Sequence, residues 1–221
     1  VGLHELPRRR LQAPIIVVHG GAGRYRGLTA KRAKAIKRAL VEALVRGYEA
    51  MDSGDAVDGV VEAVRVLEDS GLFNAGRGSV LNVRGYVEMD ASVMSGDLRA
   101  GAVAAVRRVR NPILLARLVM ERTDHVLLVG DWVERLAEAY GLALEDHVSS
   151  DKLSKWLEIK AKVSKGEGMK HLRKLKKLMS EKPNLFEPLG TVGAVALDQQ
   201  GCVAAASSTG GYWLKLPGRV G

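Results

Sequence analysis

The spacing of hydrophobic and polar positions changes several times along the chain, and each change marks a predicted element. Ile15, Ile16, Val17 and Val18 form a short unbroken apolar run, which predicts a buried strand ended by His19-Gly20-Gly21-Ala22-Gly23. Between Thr29 and Asp52 the apolar positions Ile36, Leu40, Ala43, Leu44, Tyr48 and Met51 recur close to the 3.6-residue period of a helix. Asp55 is placed to cap a second helix whose inner face is Val57, Val60, Val61, Val64 and Leu67, with Gly71 ending it. Residues 73–79 are Gly-rich and turn-like. The period then drops to two: Val87, Met89, Ala91 and Val93 alternate with Glu88, Asp90 and Ser92, which predicts a strand over Tyr86–Met94 with one buried face. Gly101–Val109 is its expected partner across Ser95-Gly96-Asp97.

Asn111-Pro112 is a helix start, with Asn as cap and Pro in the first turn, and the helix runs to about Arg122. A short strand over His125–Gly130 and a helix from Asp131 to about Leu142 follow. Residues 146–190 carry no strong strand signal and read as helical only around Met169–Met179, with Pro183 and Pro188 breaking the pattern near the end. Thr191–Leu197, the turn Asp198-Gln199-Gln200-Gly201 and Cys202–Ser208 form a hairpin, and a Gly-rich loop runs on to Gly221. Strands and helices mixed in this order, with long hairpins, imply an α+β fold: an antiparallel sheet core with helices packed on it.

Composition narrows the class. The 221 residues are 47% hydrophobic and 27% charged, enough for a sizeable core, and this excludes an intrinsically disordered chain. The single cysteine, Cys202, excludes an intramolecular disulfide framework and a Cys-rich zinc site. The Ile15–Val18 run is too short to span a bilayer or to form a signal-peptide core, so the expected compartment is the cytoplasm, with no membrane partner. The net charge of +9 is uneven: residues 151–190 carry eleven Lys and Arg against five acids, or +6 in one connector. The segment reads as a solvated, flexible linker. Trp156 and Phe186 are its only aromatics and no nucleic-acid-binding motif is present, so no nucleic-acid partner is expected; a basic nucleic-acid-binding protein is the rival from another class.

The connector ends abruptly at Gly190-Thr191, where a run of small residues begins. A Thr at a strand start is ordinary, because β-branched residues suit strands. Were the Gly190–Thr191 bond cut, however, Thr191 would carry both a hydroxyl nucleophile and an α-amino group of pKa about 7.7–8.0, able to act as general base for that hydroxyl without a histidine.

Several motifs occur in one order: His19-Gly20-Gly21-Ala22-Gly23, Phe73-Asn74-Ala75-Gly76-Arg77-Gly78, Met89-Asp90-Ala91-Ser92-Val93-Met94, Asn111-Pro112, Gly190-Thr191-Val192-Gly193-Ala194, Ser208-Thr209-Gly210-Gly211 and Lys215-Leu216-Pro217-Gly218-Arg219-Val220-Gly221. Together they closely resemble the plant-type L-asparaginase/isoaspartyl peptidase family of N-terminal-nucleophile hydrolases, from about residue 14 to 221. The resemblance implies a four-layer αββα sandwich and self-cleavage into an α segment, 1–190, and a β segment that starts at Thr191. It implies Thr191 as nucleophile, with Thr209 supporting it, Asn74 nearby, and Arg219, Gly210 and Gly211 binding substrate. A fixed fork of guanidinium donors suits a planar carboxylate. The implied substrates are L-asparagine and isoaspartyl dipeptides. The implied assembly is a homodimer of αβ units. No organic cofactor is implied; a structural sodium ion is, held by the backbone carbonyls of Leu67, Glu68, Ser70, Phe73, Ala75 and Arg77, since hard cations favour oxygen. His19 is expected to be structural. A glycosylasparaginase-like hydrolase shares the nucleophile and the Pro-Gly-Arg-Val-Gly stretch and is the alternative within the same class. Family members continue past Gly221 with an aspartate and, further on, a Thr-Gly oxyanion-hole segment, so the 221 residues are expected to be an immature or incomplete form with little activity alone. Tyr212-Trp213-Leu214 is less polar than is common at that place in the family.

Overall fold

The computed structural model describes residues 12–21, 28–164 and 190–221. Six strands form one sheet: β1 (Ile15–His19), β2 (Met89–Ser95), β3 (Ala100–Val106), β4 (Leu127–Val129), β5 (Thr191–Leu197) and β6 (Val203–Thr209). Their spatial order is β1-β5-β6-β2-β3-β4, antiparallel throughout except for the β3–β4 pair. Five helices accompany them: α1 (Ala30–Ser53), α2 (Ala56–Asp69), α3 (Pro112–Arg122), α4 (Asp131–Ala139) and α5 (Ser150–Ser164). The α+β class read from the sequence therefore holds.

The helix starts follow their caps. The Thr29 hydroxyl accepts from the Arg32 amide, and Asp55 and Asp58 exchange side-chain-to-amide bonds in a reciprocal capping box that opens α2. Asp198 lies in the β5–β6 turn and ties the layers together: one carboxylate oxygen accepts from Cys202 N and the other from Ala56 N at the head of α2. At α3 the expected cap differs. Asn111 occupies the cap position but makes no capping bond; its amide donates to Asp69, while the buried Glu68 carboxylate accepts from Ile113 N at 3.1 Å.

Helices α1, α2 and α3 cover one face of the sheet, and the core lies between them, built from Val57, Val60, Val64 and Leu67 of α2 against Val192, Ala194, Ala204 and Ala206. The buried stripe of α1 is Ala39, Ala43, Gly47 and Met51, made of small residues because α1 lies close upon α2: a Cβ on Gly47 would come within 2.8 Å of the Gly59 carbonyl. Tyr48, expected on that stripe, is exposed on the flank beside it. The opposite sheet face carries Val17, Val195, Val203 and Met94, all exposed, with no helix over them among the described residues.

Two further expectations shift. The 86–94 strand begins at Met89, and Glu88 and Asp90 on its polar side are buried rather than solvated. Part of the connector expected to be mobile is a packed helix: α5 buries Trp156 and Ile159, and the Trp156 indole N–H donates to the Asn82 carbonyl at 2.8 Å. The expected helix at Met169–Met179 lies outside the described residues. No described helix is long and apolar enough to cross a membrane.

Candidate active site

Strand register brings three of the motifs into one row. Thr191 on β5 pairs with Thr209 on β6, and Thr209 pairs with Asp90 on β2. Side chains alternate between sheet faces, so Thr191 lies on the face of Val195, and Thr209 on the face of Val203. The two threonines therefore end the open face, away from the helix layer.

Beside this row the Gly190 carbonyl, which belongs to the peptide bond preceding Thr191, receives two hydrogen bonds. The Thr209 hydroxyl donates to it at 2.8 Å and the Asn74 side-chain amide at 2.7 Å. Both donors are themselves held. Thr209 Oγ1 accepts from Gly211 N at 3.0 Å, Asn74 Oδ1 accepts from Val80 N at 3.1 Å, and Gly210 N donates to the Asn74 carbonyl. The Asn74 amide also donates to the Gly211 carbonyl at 2.6 Å. Gly190 has φ +68, a conformation that favours glycine, and it presents its Cα to Asn74. Gly210 packs so closely on Asn74 and Ser79 that a Cβ there would fall 2.6 Å from each. Gly21 lies against the Thr191 backbone on the far side, a place where a Cβ would come within 3.1 Å of the Thr191 carbonyl.

A backbone carbonyl fixed by two oriented donors, next to a hydroxyl-bearing strand residue, is what stabilisation of a tetrahedral oxyanion requires. Comparison with known proteins agrees with the motif order. A family model described as asparaginase matches residues 12–221. The chain belongs to the asparaginase family. It is 46% identical over 207 residues to the plant-type L-asparaginase of Pyrococcus abyssi, an alignment that covers 93% of this chain and 66% of that protein. It is 46% identical over 208 residues to the plant-type L-asparaginase of Thermococcus kodakarensis, with the same coverage. The isoaspartyl peptidase/L-asparaginase of Bos taurus is 45% identical over 212 residues, covering 94% of this chain and 64% of that protein. The chain thus spans just under two thirds of the length of these asparaginase relatives.

Of the predicted site residues of this asparaginase-family chain, Asn74, Gly190, Thr191, Thr209, Gly210 and Gly211 converge in one cluster. Arg219 lies apart from that hydrogen-bond network on the exposed loop 216–221, its guanidinium stacked 4.5 Å from the Tyr212 ring centroid. His19 ends β1, where its ring packs against Gly193 and Nδ1 accepts from Gly21 N at 3.3 Å. In the 67–78 loop, the Glu68 carbonyl turns toward Gly76 and the Phe73 carbonyl toward Gly78, where a Cβ would be sterically impossible. Carbonyl oxygens are the donor type a hard cation takes, but those of Leu67 and Ala75 already accept, from the Ser70 hydroxyl at 2.7 Å and from Gly78 N at 3.0 Å. The Arg77 carbonyl already accepts from the Lys152 ammonium, which also donates to the His147 carbonyl at 2.7 Å. Burial lowers the Lys152 pKa to about 8.

Sequence reasoning missed three polar residues here. Lys215 is fully buried, its ammonium donating to the Glu88 carbonyl at 2.7 Å and lying 4.0 Å from Asp90 Oδ2. Burial depresses its pKa, opposed by the charges of Asp90 and Glu88. Asp90 Oδ1 accepts from the amide of Ala105, a non-glycine at φ +55 in a β-bulge between β2 and β3. The available signal was the polar face Glu88-Asp90, which period-two reading assigned to solvent.

Proposed function

We propose that this asparaginase-family chain is a self-cleaving amidohydrolase precursor whose nucleophile is Thr191. The observation that supports this reading best is the Gly190 carbonyl held by Thr209 and Asn74 directly before Thr191. Thr191 Oγ attacks the Gly190 carbonyl carbon, and negative charge gathers on the oxygen already gripped by the two donors. The C–N bond then breaks, the acyl group passes to Oγ, and the hydroxyl proton ends on the released Thr191 amine. Water hydrolyses the ester, freeing the Gly190 carboxylate and a Thr191 that bears its own general base.

In the second reaction the freed amine takes the Thr191 hydroxyl proton as Oγ attacks the side-chain amide of L-asparagine, or the isoaspartyl bond of a dipeptide. The leaving ammonia or amino acid carries that proton away, and water releases aspartate. Arg219 pairs with the substrate α-carboxylate as a bidentate donor. The names of the relatives, L-asparaginase and isoaspartyl peptidase, support both substrate types. A glycosylasparaginase-like preference would appear as activity on glycosylated asparagine with none on the free amino acid.

Three structural proposals accompany this one. The open apolar face bearing Val17, Val195, Val203 and Met94 is covered by a second sheet, completing the αββα sandwich. Carbonyls of Leu67, Glu68, Ser70, Phe73, Ala75 and Arg77 hold a sodium ion, which steadies the loop leading to Asn74. The mature enzyme assembles as a dimer of αβ units. The deciding experiment is intact-mass analysis of the full-length protein during incubation. Two fragments dividing at Gly190–Thr191, absent in Thr191→Ala together with activity, are expected; one persistent chain with activity unaffected in Thr191→Ala refutes the proposal.

A further inference from the structure

The loop Leu216–Gly221 is exposed along its whole length, yet it carries Arg219. Apolar burial contributes little to holding it: Leu216 and Val220 are 37% and 49% exposed. Its tethers are carboxylates. Both oxygens of Glu88 lie 3.2 Å from Gly218 N, one residue before Arg219, and Asp90 Oδ2 accepts from Gly221 N at 2.5 Å, two residues after it.

These carboxylates are buried, at 3% and 7% exposure, and each is fixed from behind. Asn82 donates to Glu88 Oε2 at 3.0 Å, and Ala105 N holds the second oxygen of Asp90. The Lys215 ammonium donates to the Glu88 backbone carbonyl and lies 4.0 Å from Asp90 Oδ2, and the Lys215 carbonyl accepts from Val83 N. Buried charges seldom stabilise a fold better than apolar residues of the same size would. What this set achieves is geometric: it clamps the backbone on both sides of Arg219. Asp90 is also paired with Thr209 across β2 and β6, so one residue links the Arg219 loop to the threonine row.

We propose that Glu88, Asp90 and Lys215 are positioning residues for Arg219, a buried charged frame that sets the distance between the substrate-carboxylate clamp and the threonine nucleophile. The inference rests on the reading of Arg219 as that clamp. Self-cleavage at Gly190–Thr191 involves no substrate carboxylate, so it reports on the fold and the threonine row independently of the clamp.

The test compares Glu88→Gln and Arg219→Lys in the full-length protein, measuring kcat and KM for L-asparagine alongside the rate of self-cleavage by intact mass. Glu88→Gln keeps one acceptor for Gly218 N and removes the charge. The expected result is a KM raised about tenfold, kcat within about twofold, and unchanged self-cleavage. The double variant Asp90→Asn/Lys215→Met removes opposite charges together, guards against misfolding of a single variant, and is expected to raise KM by a similar factor. An unchanged KM in Glu88→Gln and in the double variant, while Arg219→Lys raises it, overturns the frame and leaves the clamp standing. Self-cleavage and kcat falling together at unchanged KM also overturns it, since the residues would then be merely structural. An unchanged KM in Arg219→Lys overturns the clamp and the frame with it.

Discussion

Replacing Thr209 with valine keeps the shape of the side chain and deletes one hydroxyl with two duties. It donates to the Gly190 carbonyl at 2.8 Å and accepts from Gly211 N at 3.0 Å. The first duty matters in the transition state of self-cleavage, when charge develops on the Gly190 oxygen. Loss of one of two such donors costs about 10²–10³ in rate, or roughly 2.7–4 kcal/mol, and the Asn74 amide remains to support residual cleavage. The second duty is structural. Gly211 is buried, and leaving its amide unpaired costs about 1–3 kcal/mol of stability, which lowers Tm by about 2–4 °C per kcal/mol in a chain of this size. The two effects separate by assay: intact mass over time gives the cleavage rate, and thermal unfolding gives the stability. Thr209→Ser keeps the hydroxyl and should retain most of the rate. The reasoning is refuted if Thr209→Val cleaves within about threefold of the parent, since a donor worth that little does not contribute to an oxyanion site.

Other perturbations follow from the same contacts. Burial raises the Glu68 pKa to about 8, so the folded chain keeps a proton that the unfolded chain loses near its ordinary value. This contribution to stability is complete below about pH 4.5 and is lost as pH rises toward 8, at up to about 1.4 kcal/mol per pH unit; Glu68→Gln should flatten the slope in denaturant titrations across that window. Gly101→Ala places a Cβ 2.2 Å from the Ala116 carbonyl and 2.5 Å from Met120 N, forcing β3 and α3 apart. A loss of about 1–3 kcal/mol in urea unfolding is expected, and a neutral result would contradict the close packing. Trp156→Ala removes a buried ring and the bond to the Asn82 carbonyl, so unfolding should be easier by about 3–5 kcal/mol and residues 150–164 should be cut faster by protease.

Local signals carried most of the elements. The Thr29 and Asp55 caps, the β5–β6 turn at Asp198–Gly201 and the alternation of Thr191–Leu197 each depend on neighbours within a few residues, and each element formed where those neighbours placed it. Tyr48 shows where periodicity alone fails. It lies on the flank of the apolar stripe of α1, but the close approach of α1 and α2 selects small residues, and a tyrosine is turned outward. The helix α5 was hidden for a related reason. It buries Trp156 and Ile159 but leaves Leu153 and Leu157 exposed, and its surface is basic, so composition resembles a solvated connector until the loop around Asn82 and Gly85 supplies a surface to pack on.

The candidate site was legible as motifs but not as geometry. Phe73-Asn74-Ala75-Gly76 and Gly190-Thr191 are separated by more than a hundred residues; the β5–β6 pairing sets Thr209 beside the Gly190 carbonyl, and Asn74 reaches that carbonyl from the loop after α2, tied there by Gly210 N. Glu88 and Asp90 mark the limit of pattern reading. Alternation assigns a polar face to water because an unpaired buried carboxylate is expensive. Here each carboxylate is paired with backbone amides that a one-dimensional pattern does not represent: Gly218 and Gly221 from one end of the chain, Ala105 from a bulge. A buried polar face in an otherwise alternating strand therefore points to a long-range backbone partner, and in this chain that partner is the loop carrying Arg219.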